Sequence, residues 1–254
     1  MRILVTGATA GFGAAIVRRF AHEGDHFIVA VGRREERLKA LAREIGSTPL
    51  LTLPLDVRDA QAVSAAIASL PSDFADLDLL INNAGLALGL DPAHKTDPAD
   101  WEAMVDTNIK GLLYVTRAVL PGMVARNRGL IINMGSVAAT YPYPGGNVYG
   151  GTKAFVRQFS LNLRADLFGT KVRVTDVEPG LVGGSEFSLV RFHGDAERAA
   201  KVYDDTQALT PEDIAQTVHW IASLPAHVNV NTIELMPVTQ AFGPLLVHRE
   251  TASE

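Results

Sequence analysis

Near its N-terminus the chain reads Arg2-Ile3-Leu4-Val5-Thr6-Gly7-Ala8-Thr9-Ala10-Gly11-Phe12-Gly13, and this stretch predicts the fold. An apolar, β-branched run typical of a buried strand leads directly into a glycine-rich turn. Glycines let the backbone approach a pyrophosphate closely, and the N-terminus of a following helix attracts its charge. The spacing GxxxGxG is weak evidence alone, but its place between strand and helix favours a dinucleotide site. We expect cofactor contacts from Gly7, Thr9, Ala10, Gly11, Phe12 and Gly13.

Short apolar runs alternate with longer amphipathic stretches along the rest of the chain. This pattern predicts an α/β fold: one Rossmann-type domain over 1–254, with a doubly wound parallel sheet of about seven strands and helices on both faces. Only 183–206 leaves the rhythm, and we expect it to be a substrate lid. Strands are predicted at 2–6, 26–31, 50–55, 78–82, 129–135, 171–177 and 231–236, and helices at 12–23, 35–45, 59–69, 98–120, 148–167 and 211–223.

The composition and net charge argue against several classes of function. The 254 residues carry a net charge of −5, and the basic residues are scattered, which argues against nucleic-acid and membrane surfaces. The absence of cysteine excludes disulfides and thiol catalysis. The seven histidines form no HxH or HExxH pair, so we expect no metal site. The sequence shows no targeting segment and no long apolar run, which predicts a cytoplasmic protein.

The second strand ends in Arg33 and Arg34, about where an NAD site usually has an acidic residue for the ribose. Arginine suits a 2′-phosphate, so NADP is favoured over NAD. The alternative is a pair of surface charges beside Glu35 and Glu36. After the third strand, Asp56-Val57 could reach the adenine, although aspartate is also a common helix cap.

Tyr149 and Lys153 are four residues apart, which places them on one face of a helix. A neighbouring cation favours the phenolate and so lowers the pKa of a tyrosine. A shift from about 10 to near 7 requires roughly 4 kcal/mol, more than one cation in a partly wet site supplies, so a positively charged nicotinamide would help. Ser136 ends the fifth strand, and Asn108 lies within the long helix before it. We expect all four side chains to converge.

Taken together, these motifs resemble the short-chain dehydrogenase/reductase family over essentially the whole chain. The resemblance rests on Thr6-Gly7-x3-Gly11-x-Gly13, Asn82-Asn83-Ala84-Gly85, Asn108, Ser136, Tyr149-x3-Lys153 and Pro179-Gly180, which appear in family order. Within the family, the chain is most similar to bacterial NADP-dependent members that act on 3-hydroxy acids such as serine and L-allo-threonine. The closer similarity lies in 84–89, 92–95, 145–149 and 178–184.

The resemblance implies a role for each catalytic residue. Tyr149 would be the general acid/base, and Ser136 would bind the reacting oxygen. Lys153 would lower the pKa of Tyr149 and hold the nicotinamide ribose, while Asn108 would position a water that links Lys153 to solvent. Further cofactor contacts would come from Asn83, Ala84, Gly85, Tyr149, Lys153, Pro179, Gly180 and Val182.

Two positions depart from the family pattern. Glu178 stands where the family often has asparagine before Pro-Gly, and Gly183-Gly184-Ser185 stands where many members have a single threonine. Ser185 is therefore an open candidate for the contact to the carboxamide of the cofactor. Glu178 could meet the ammonium group of an amino-acid substrate or could make a structural hydrogen bond.

A 3-hydroxy acid carries a carboxylate, so its pocket needs a cation. Arg191 in the predicted lid is the first candidate, with an exposed lid charge as the alternative. Arg249 is a second candidate, because C-terminal tails cross subunit interfaces in related tetramers; we expect a homotetramer. Ser136, Tyr141, Tyr143, Asn147 and Phe187 are expected to shape the pocket.

The predicted reaction is reversible NADP-linked oxidation of a small 3-hydroxy acid, such as serine, L-allo-threonine or 3-hydroxypropionate, to its 3-oxo form. One alternative is a reductase of another small anionic aldehyde, such as malonic semialdehyde or sulfoacetaldehyde. A second alternative, from another class, is a non-catalytic NADP-binding regulatory protein. The complete set of tyrosine, lysine and serine disfavours that last reading.

Overall fold

A computed structural model describes residues 1–243, which are built around a seven-stranded parallel sheet. The strands are β1 (Arg2–Thr6), β2 (Phe27–Gly32), β3 (Leu50–Pro54), β4 (Leu79–Asn82), β5 (Gly129–Met134), β6 (Val172–Pro179) and β7 (Thr232–Leu235). Their order across the sheet is β3-β2-β1-β4-β5-β6-β7. The predicted fold class is confirmed, and each predicted strand is present within a few residues of its expected bounds.

The helices flank the sheet between these strands. They are α1 (Gly11–His22), α2 (Glu35–Ile45), α3 (Ala60–Ala68), α4 (Ser72–Ala75), α5 (Pro98–Val105), α6 (Leu112–Ala125), α7 (Asn147–Asp166), α8 (Phe187–Arg191), α9 (Ala196–Lys201) and α10 (Pro211–Ser223). The helix predicted over 98–120 is three consecutive segments, because a π-helical stretch, Asp106–Gly111, separates α5 from α6. The short helices α4, α8 and α9 were not predicted, since four to six residues are too few to show a helical period.

Both faces of the sheet are covered by apolar side chains. On β1, Ile3 and Val5 join one core cluster with α1 and α10, whereas Leu4 joins a second cluster with α6 and α7. This alternation follows from the period of two along a strand. The strand between them is therefore buried on both sides, as a parallel sheet with helices on both faces requires.

A side-chain cap followed by proline begins two of the predicted helices. The Oγ1 of Thr210 accepts from the backbone N of Asp213 at 3.2 Å, and the Asp213 carboxylate accepts from the backbone N of Thr210 at 2.8 Å. Asp97 accepts from the N of Ala99 at 2.9 Å at the start of α5. Both starts were predicted from a capping residue followed by proline.

The order of the sheet reverses between β1 and β4, and the cleft described below opens at the carboxyl ends of the strands around this point. None of the helices within 1–243 has the length and apolarity needed to cross a membrane. Arg249, the second candidate for carboxylate binding, lies outside the described residues.

Candidate active site

A cleft of about 320 Å³ runs along the carboxyl ends of the strands, between the turn after β1, α7 and the start of α8. Parallel strands end at one edge of their sheet, so residues distant in sequence meet here. Its wall comprises Gly7, Thr9, Ala10, Gly11, Phe12, Gly32, Arg33, Arg34, Leu55, Asp56, Val57, Asn83, Ala84, Gly85, Leu86, Thr107, Met134, Gly135, Tyr149, Lys153, Ser185, Glu186, Phe187 and Val190.

The glycine-rich turn depends on close backbone contacts. Gly7 has φ +68°, a conformation that disfavours other residues. A Cβ at Gly13 would stand 2.3 Å from the carbonyl oxygen of Gly7. Asn83 fixes the same turn, since its Nδ2 donates to the Thr6 oxygen at 2.9 Å. Gly13 therefore allows the turn to form, and its predicted contact to the cofactor stays a prediction.

Arg33 and Arg34 are exposed at one end of the cleft. Arg34 donates to Thr9 Oγ1 at 3.0 Å, and its Nη1 lies 2.7 Å from Glu186 Oε2. Arg37 contacts the other oxygen of Glu186 at 2.7 Å. Arg37 and Glu186 were not predicted as residues of this site. Arg37 could have been found from its helical spacing to Arg34, but Glu186 comes from a distant segment.

Asp56 lines the cleft, and its predicted contact to the adenine stays a prediction, because its carboxylate already has a partner. Its Oδ2 lies 2.6 Å from Arg58 Nη2, and this hydrogen bond lowers the pKa of Asp56. The neighbouring Val57 is buried and also lines the wall. The carboxylate thus has a structural partner beside any contact to the adenine.

Tyr149, Ser136 and Lys153 come together at the other end of the cleft. α7 begins at Asn147, so Tyr149 lies in its first turn and Lys153 one turn further on. The Lys153 Nζ is 5.8 Å from the centre of the Tyr149 ring. Ser136, just after the end of β5, lies close enough to Tyr149 to lower the pKa of its hydroxyl. All three side chains are buried.

Lys153 was expected to lower the pKa of Tyr149, but the pKa of Tyr149 in the protein alone is raised. Burial raises the pKa of Tyr149 to about 12, while Ser136 and Arg191 lower it. The Lys153 ammonium instead donates to the Met134 carbonyl at 2.7 Å. Burial lowers the pKa of Lys153 to about 8, and Asp176 opposes that shift.

Asn108 makes a side-chain hydrogen bond to α7, the helix that carries Tyr149 and Lys153. It is buried in the π-helical stretch, where its Nδ2 donates to the Leu86 oxygen at 2.9 Å and to Thr152 Oγ1 at 3.0 Å. Its Oδ1 accepts from the Leu86 N at 2.9 Å. Asn108 thus joins the loop after β4 to the turn between Tyr149 and Lys153. Its predicted contact to a water stays a prediction.

Three predicted cofactor contacts lie at or just after the end of β6, namely Pro179, Gly180 and Val182, and they stay predictions. Ser136 Oγ donates to the Pro179 oxygen at 3.4 Å. A Cβ at Gly180 would stand 2.3 Å from Gln240 Oε1, and Val182 is buried and bridges to Leu209. The segment after β6 is thus held by β7 and by the chain before α10. Ser185, by contrast, does line the cleft.

Arg191 lies at the catalytic end of the cleft. Its guanidinium carbon is 5.5 Å from the centre of the Tyr149 ring and 5.3 Å from that of Tyr143. It donates to the hydroxyl of Tyr143 and to the carbonyl oxygen of Gly89. Phe187 packs edge-on against Tyr149, with ring centres 5.9 Å apart. Arg191, Tyr143 and Phe187 therefore surround the Tyr149 ring.

Two other substrate candidates face elsewhere. Asn147 accepts from Trp101 Nε1 at 3.1 Å and donates to the Asp91 oxygen at 3.2 Å, so it joins α7 to the loop before α5. Glu178 is 1% exposed on β6, and its Oε1 lies 3.5 Å from Arg157 Nε. Of the two readings left open for Glu178, the structure favours a structural partner over a substrate ammonium group.

The residues present fit a bound NADP(H). The glycine turn and the N-terminus of α1 suit a pyrophosphate, and Arg33 and Arg34 supply positive charge for a 2′-phosphate. Tyr149 and Lys153 stand at the opposite end, where a nicotinamide would react. The sheet, the glycine-rich turn and the tyrosine, lysine and serine at its edge are typical of a nucleotide-dependent oxidoreductase. The chain belongs to the short-chain dehydrogenase family, whose model matches residues 1–191.

The most similar relatives narrow this class. The NADP-dependent 3-hydroxy acid dehydrogenase YdfG of Salmonella typhi is 66% identical over 249 residues, 98% of this chain and 100% of the relative. Its counterpart in Escherichia coli K12 is 62% identical over 250 residues, with 98% and 100% covered. A closed form of serine dehydrogenase complexed with NADP+ superposes with a TM-score of 0.96 at 62% identity, covering 98% and 100%. The chain is an NADP-dependent oxidoreductase that acts on CH–OH groups.

Proposed function

We propose that the protein reversibly oxidises a small 3-hydroxy acid, such as serine, L-allo-threonine or 3-hydroxypropionate, to its 3-oxo form. The observation that carries this proposal is the position of Arg191, 5.5 Å from the ring of Tyr149. A guanidinium there can bind a carboxylate while the hydroxyl of the same small molecule reaches Tyr149. The 3-hydroxy acid and serine dehydrogenases among the relatives support the same substrate class.

The catalytic residues divide the work. When bound, NADP(H) accepts or supplies the hydride at its nicotinamide ring. Tyr149 takes the proton of the alcohol during oxidation and returns it during reduction. Ser136 donates a hydrogen bond to the reacting oxygen, and Lys153 and Arg191 supply positive charge near the phenol. Positive charge is required, because the pKa of Tyr149 is raised to about 12, mainly by burial, even though Ser136 and Arg191 lower it.

The segment 183–206 acts as the substrate lid in this proposal. It contains α8 and α9, and it contributes Ser185, Glu186, Phe187 and Val190 to the cleft wall. The backbone of Gly89 donates to the Arg191 oxygen at 2.8 Å, so the lid is joined to the loop after β4. A lid built this way couples closure over the cofactor to placement of Arg191.

Rates of NADP+ reduction test the proposal across serine, L-allo-threonine, 3-hydroxypropionate and 3-hydroxybutyrate. We expect turnover with at least one of them and a strong preference for NADP+ over NAD+. Malonic semialdehyde is the 3-oxo form of 3-hydroxypropionate, so its reduction is the reverse of the proposed reaction. Higher efficiency with sulfoacetaldehyde than with any 3-hydroxy acid would favour the reductase alternative, which the relatives do not support. NADP binding without turnover on any substrate would favour the regulatory alternative.

We further propose that the enzyme is a homotetramer. α7 exposes 36% of Phe155 and 39% of Leu161, and Phe168, two residues beyond its end, is 87% exposed. Apolar side chains this exposed on one helix favour burial against another copy. Light scattering after size-exclusion chromatography tests the assembly, and a monomer would contradict it. The expected cytoplasmic location also stays a prediction, which cell fractionation tests.

A further inference from the structure

Two buried carboxyl groups lie behind the catalytic residues. Asp176 and Glu178 are two residues apart on β6, so their side chains share one face of the sheet. Asp176 is 0% exposed and Glu178 is 1% exposed. Both carboxylate oxygens of Asp176 and the Oε1 of Glu178 are buried without a hydrogen-bond partner among the described residues. Each of the two carboxyl groups also changes the pKa of the other. Two adjacent carboxylates without solvent cannot both remain ionised, because each is poorly solvated and repels the other.

Charged groups approach this pair from both neighbouring elements. On α7, Arg157 Nε lies 3.5 Å from Glu178 Oε1, and Lys153 acts on Asp176. On β7, Glu234 is paired in register with Glu178, and its carboxylate accepts from the Tyr141 hydroxyl at 3.4 Å. Two cations on one side favour a single negative charge on the pair, while the acidic Glu234 opposes a second.

The pKa directions agree with this geometry. Burial raises the pKa of Asp176, Glu178 raises it further, and Lys153 and Arg157 lower it only in part. Burial likewise raises the pKa of Glu178. The protein therefore binds more protons at the pair than the unfolded chain does at neutral pH.

Asp176 packs against the backbone at the catalytic end of the cleft. Lys153 donates to the backbone oxygen of Met134, which is followed in the chain by Gly135 and then by Ser136. A Cβ at Gly135 would stand 2.4 Å from Asp176 Oδ1, so the carboxyl group packs against this backbone. Asp176 also acts on the charge of Lys153, opposing the effect of its burial.

We propose that Asp176 and Glu178 share one proton, and that the single negative charge left on the pair keeps the buried Lys153 protonated. Both are then positioning residues, acting through Lys153 and the backbone before Ser136. The catalytic part of this inference rests on the proposed function, whereas the shared proton does not. It also gives Glu178 a role away from the substrate.

Amide substitutions separate charge from structure. Asp176→Asn and Glu178→Gln each leave one carboxyl group beside an amide donor, so each retains a single negative charge. The double variant Asp176→Asn/Glu178→Gln removes that charge. Glu234→Gln is the matched control, because it removes an exposed acid on the adjacent strand.

The pH dependence of kcat tests the action on Lys153. In the double variant, the alkaline loss of activity shifts to lower pH by roughly one unit or more. Each single variant and the control shift it much less. If Asp176 and Glu178 only supported packing, the substitutions would lower the free energy of unfolding and would leave the pH dependence of kcat of the folded enzyme unchanged. An unshifted double variant, or single variants shifted equally, would overturn this part.

Infrared difference spectroscopy tests the shared proton without any turnover. At pH 7 we expect a carbonyl band from a protonated carboxyl group in the wild type, absent from each single variant. The single variants suffice if the double variant does not fold. A wild type without this band, or a band retained in both single variants, would overturn the shared proton. An enzyme inactive on all 3-hydroxy acids would leave that result intact and would refute only the proposed function.

Discussion

At the scale of single residues, charge placement determines what the cleft can bind. Arg191 stands beside Tyr149 at the reacting end, while Arg33 and Arg34 stand at the far end. A carboxylate and a phosphate therefore have separate cationic partners. Because arginine binds both anions through two parallel hydrogen bonds, loss of its fork is expected to matter even when charge is retained.

Replacement of Arg191 should weaken binding of the carboxylate. We expect Arg191→Gln to lower kcat/KM for a 3-hydroxy acid by about 10- to 100-fold, since a hydrogen bond to a charged group is worth about 1.5–3 kcal/mol. Arg191→Lys should recover part of the loss. Arg198→Gln, in the same lid, is the control and should change little. Equal losses in Arg191→Gln and Arg198→Gln would argue against a specific carboxylate contact.

Replacement of both Arg33 and Arg34 by glutamine should change the choice of cofactor. The affinity for NADP+ should fall by at least tenfold, because a 2′-phosphate loses its charge-assisted hydrogen bonds, while that for NAD+ should change little. Calorimetric titration of both cofactors measures this ratio. Parallel weakening of both would refute the assignment of the phosphate to these arginines.

At the scale of elements, β6 and the turn after β1 each carry a local constraint. β6 brings two acids into the interior, whereas the turn brings backbone atoms within contact distance of α1. Both features lower the stability of the fold. The buried acids of β6 lose their solvation, and the turn tolerates only glycine at its close contacts. Such conflicts with local stability are expected at functional sites.

Gly13→Ala tests the turn. Its Cβ would meet the backbone oxygen of Gly7 at 2.3 Å, so the turn or α1 must move. We expect NADP+ affinity to fall by at least tenfold, the equivalent of about 1.4 kcal/mol, together with a lower Tm. Gly151→Ala is the control: a Cβ there meets no atom within 4 Å, and alanine favours the helix. Unchanged NADP+ affinity in Gly13→Ala would contradict the close approach.

The acids of β6 predict an unusual pH dependence of stability. A carboxyl group whose pKa is raised on folding binds more protons in the folded state, so stability falls as pH rises above its unfolded pKa of about 4. One proton corresponds to a slope of about 1.4 kcal/mol per pH unit. Urea unfolding between pH 5 and 7 should show a smaller decrease in Asp176→Asn than in the wild type. An equal decrease would show that Asp176 does not retain a proton.

At the scale of the whole molecule, one sheet edge gathers residues from both halves of the chain. The local patterns predicted the strands, the glycine turn and the set Ser136, Tyr149 and Lys153, because each depends on short-range spacing. They could not show the contact of Glu186 with Arg34 and Arg37, since it joins segments about 150 residues apart. The cofactor contacts of Gly180 and Val182 come from the family resemblance instead, and they stay predictions; Val182 bridges to Leu209, and Gly180 packs against Gln240.

The pKa of Tyr149 is another property that local sequence patterns could not predict. Helical spacing predicts a neighbouring cation, but burial is set by the assembled fold, and here burial dominates. The π-helical stretch that carries Asn108 is likewise a tertiary outcome, because its hydrogen bonds go to Leu86 and Thr152. The sequence therefore identifies which side chains meet more reliably than it identifies their charge states.

The central claim is that Tyr149 exchanges the proton of a 3-hydroxy acid while NADP+ takes its hydride. The most direct measurement compares NADP+ reduction by the wild type and Tyr149→Phe across the four 3-hydroxy acids, with Tyr114→Phe on α6 as the control. The account predicts turnover in the wild type and the control, and a loss of about 100- to 10,000-fold in Tyr149→Phe, with NADP+ still bound. Full activity in Tyr149→Phe, or no turnover of any 3-hydroxy acid by the wild type, would contradict it.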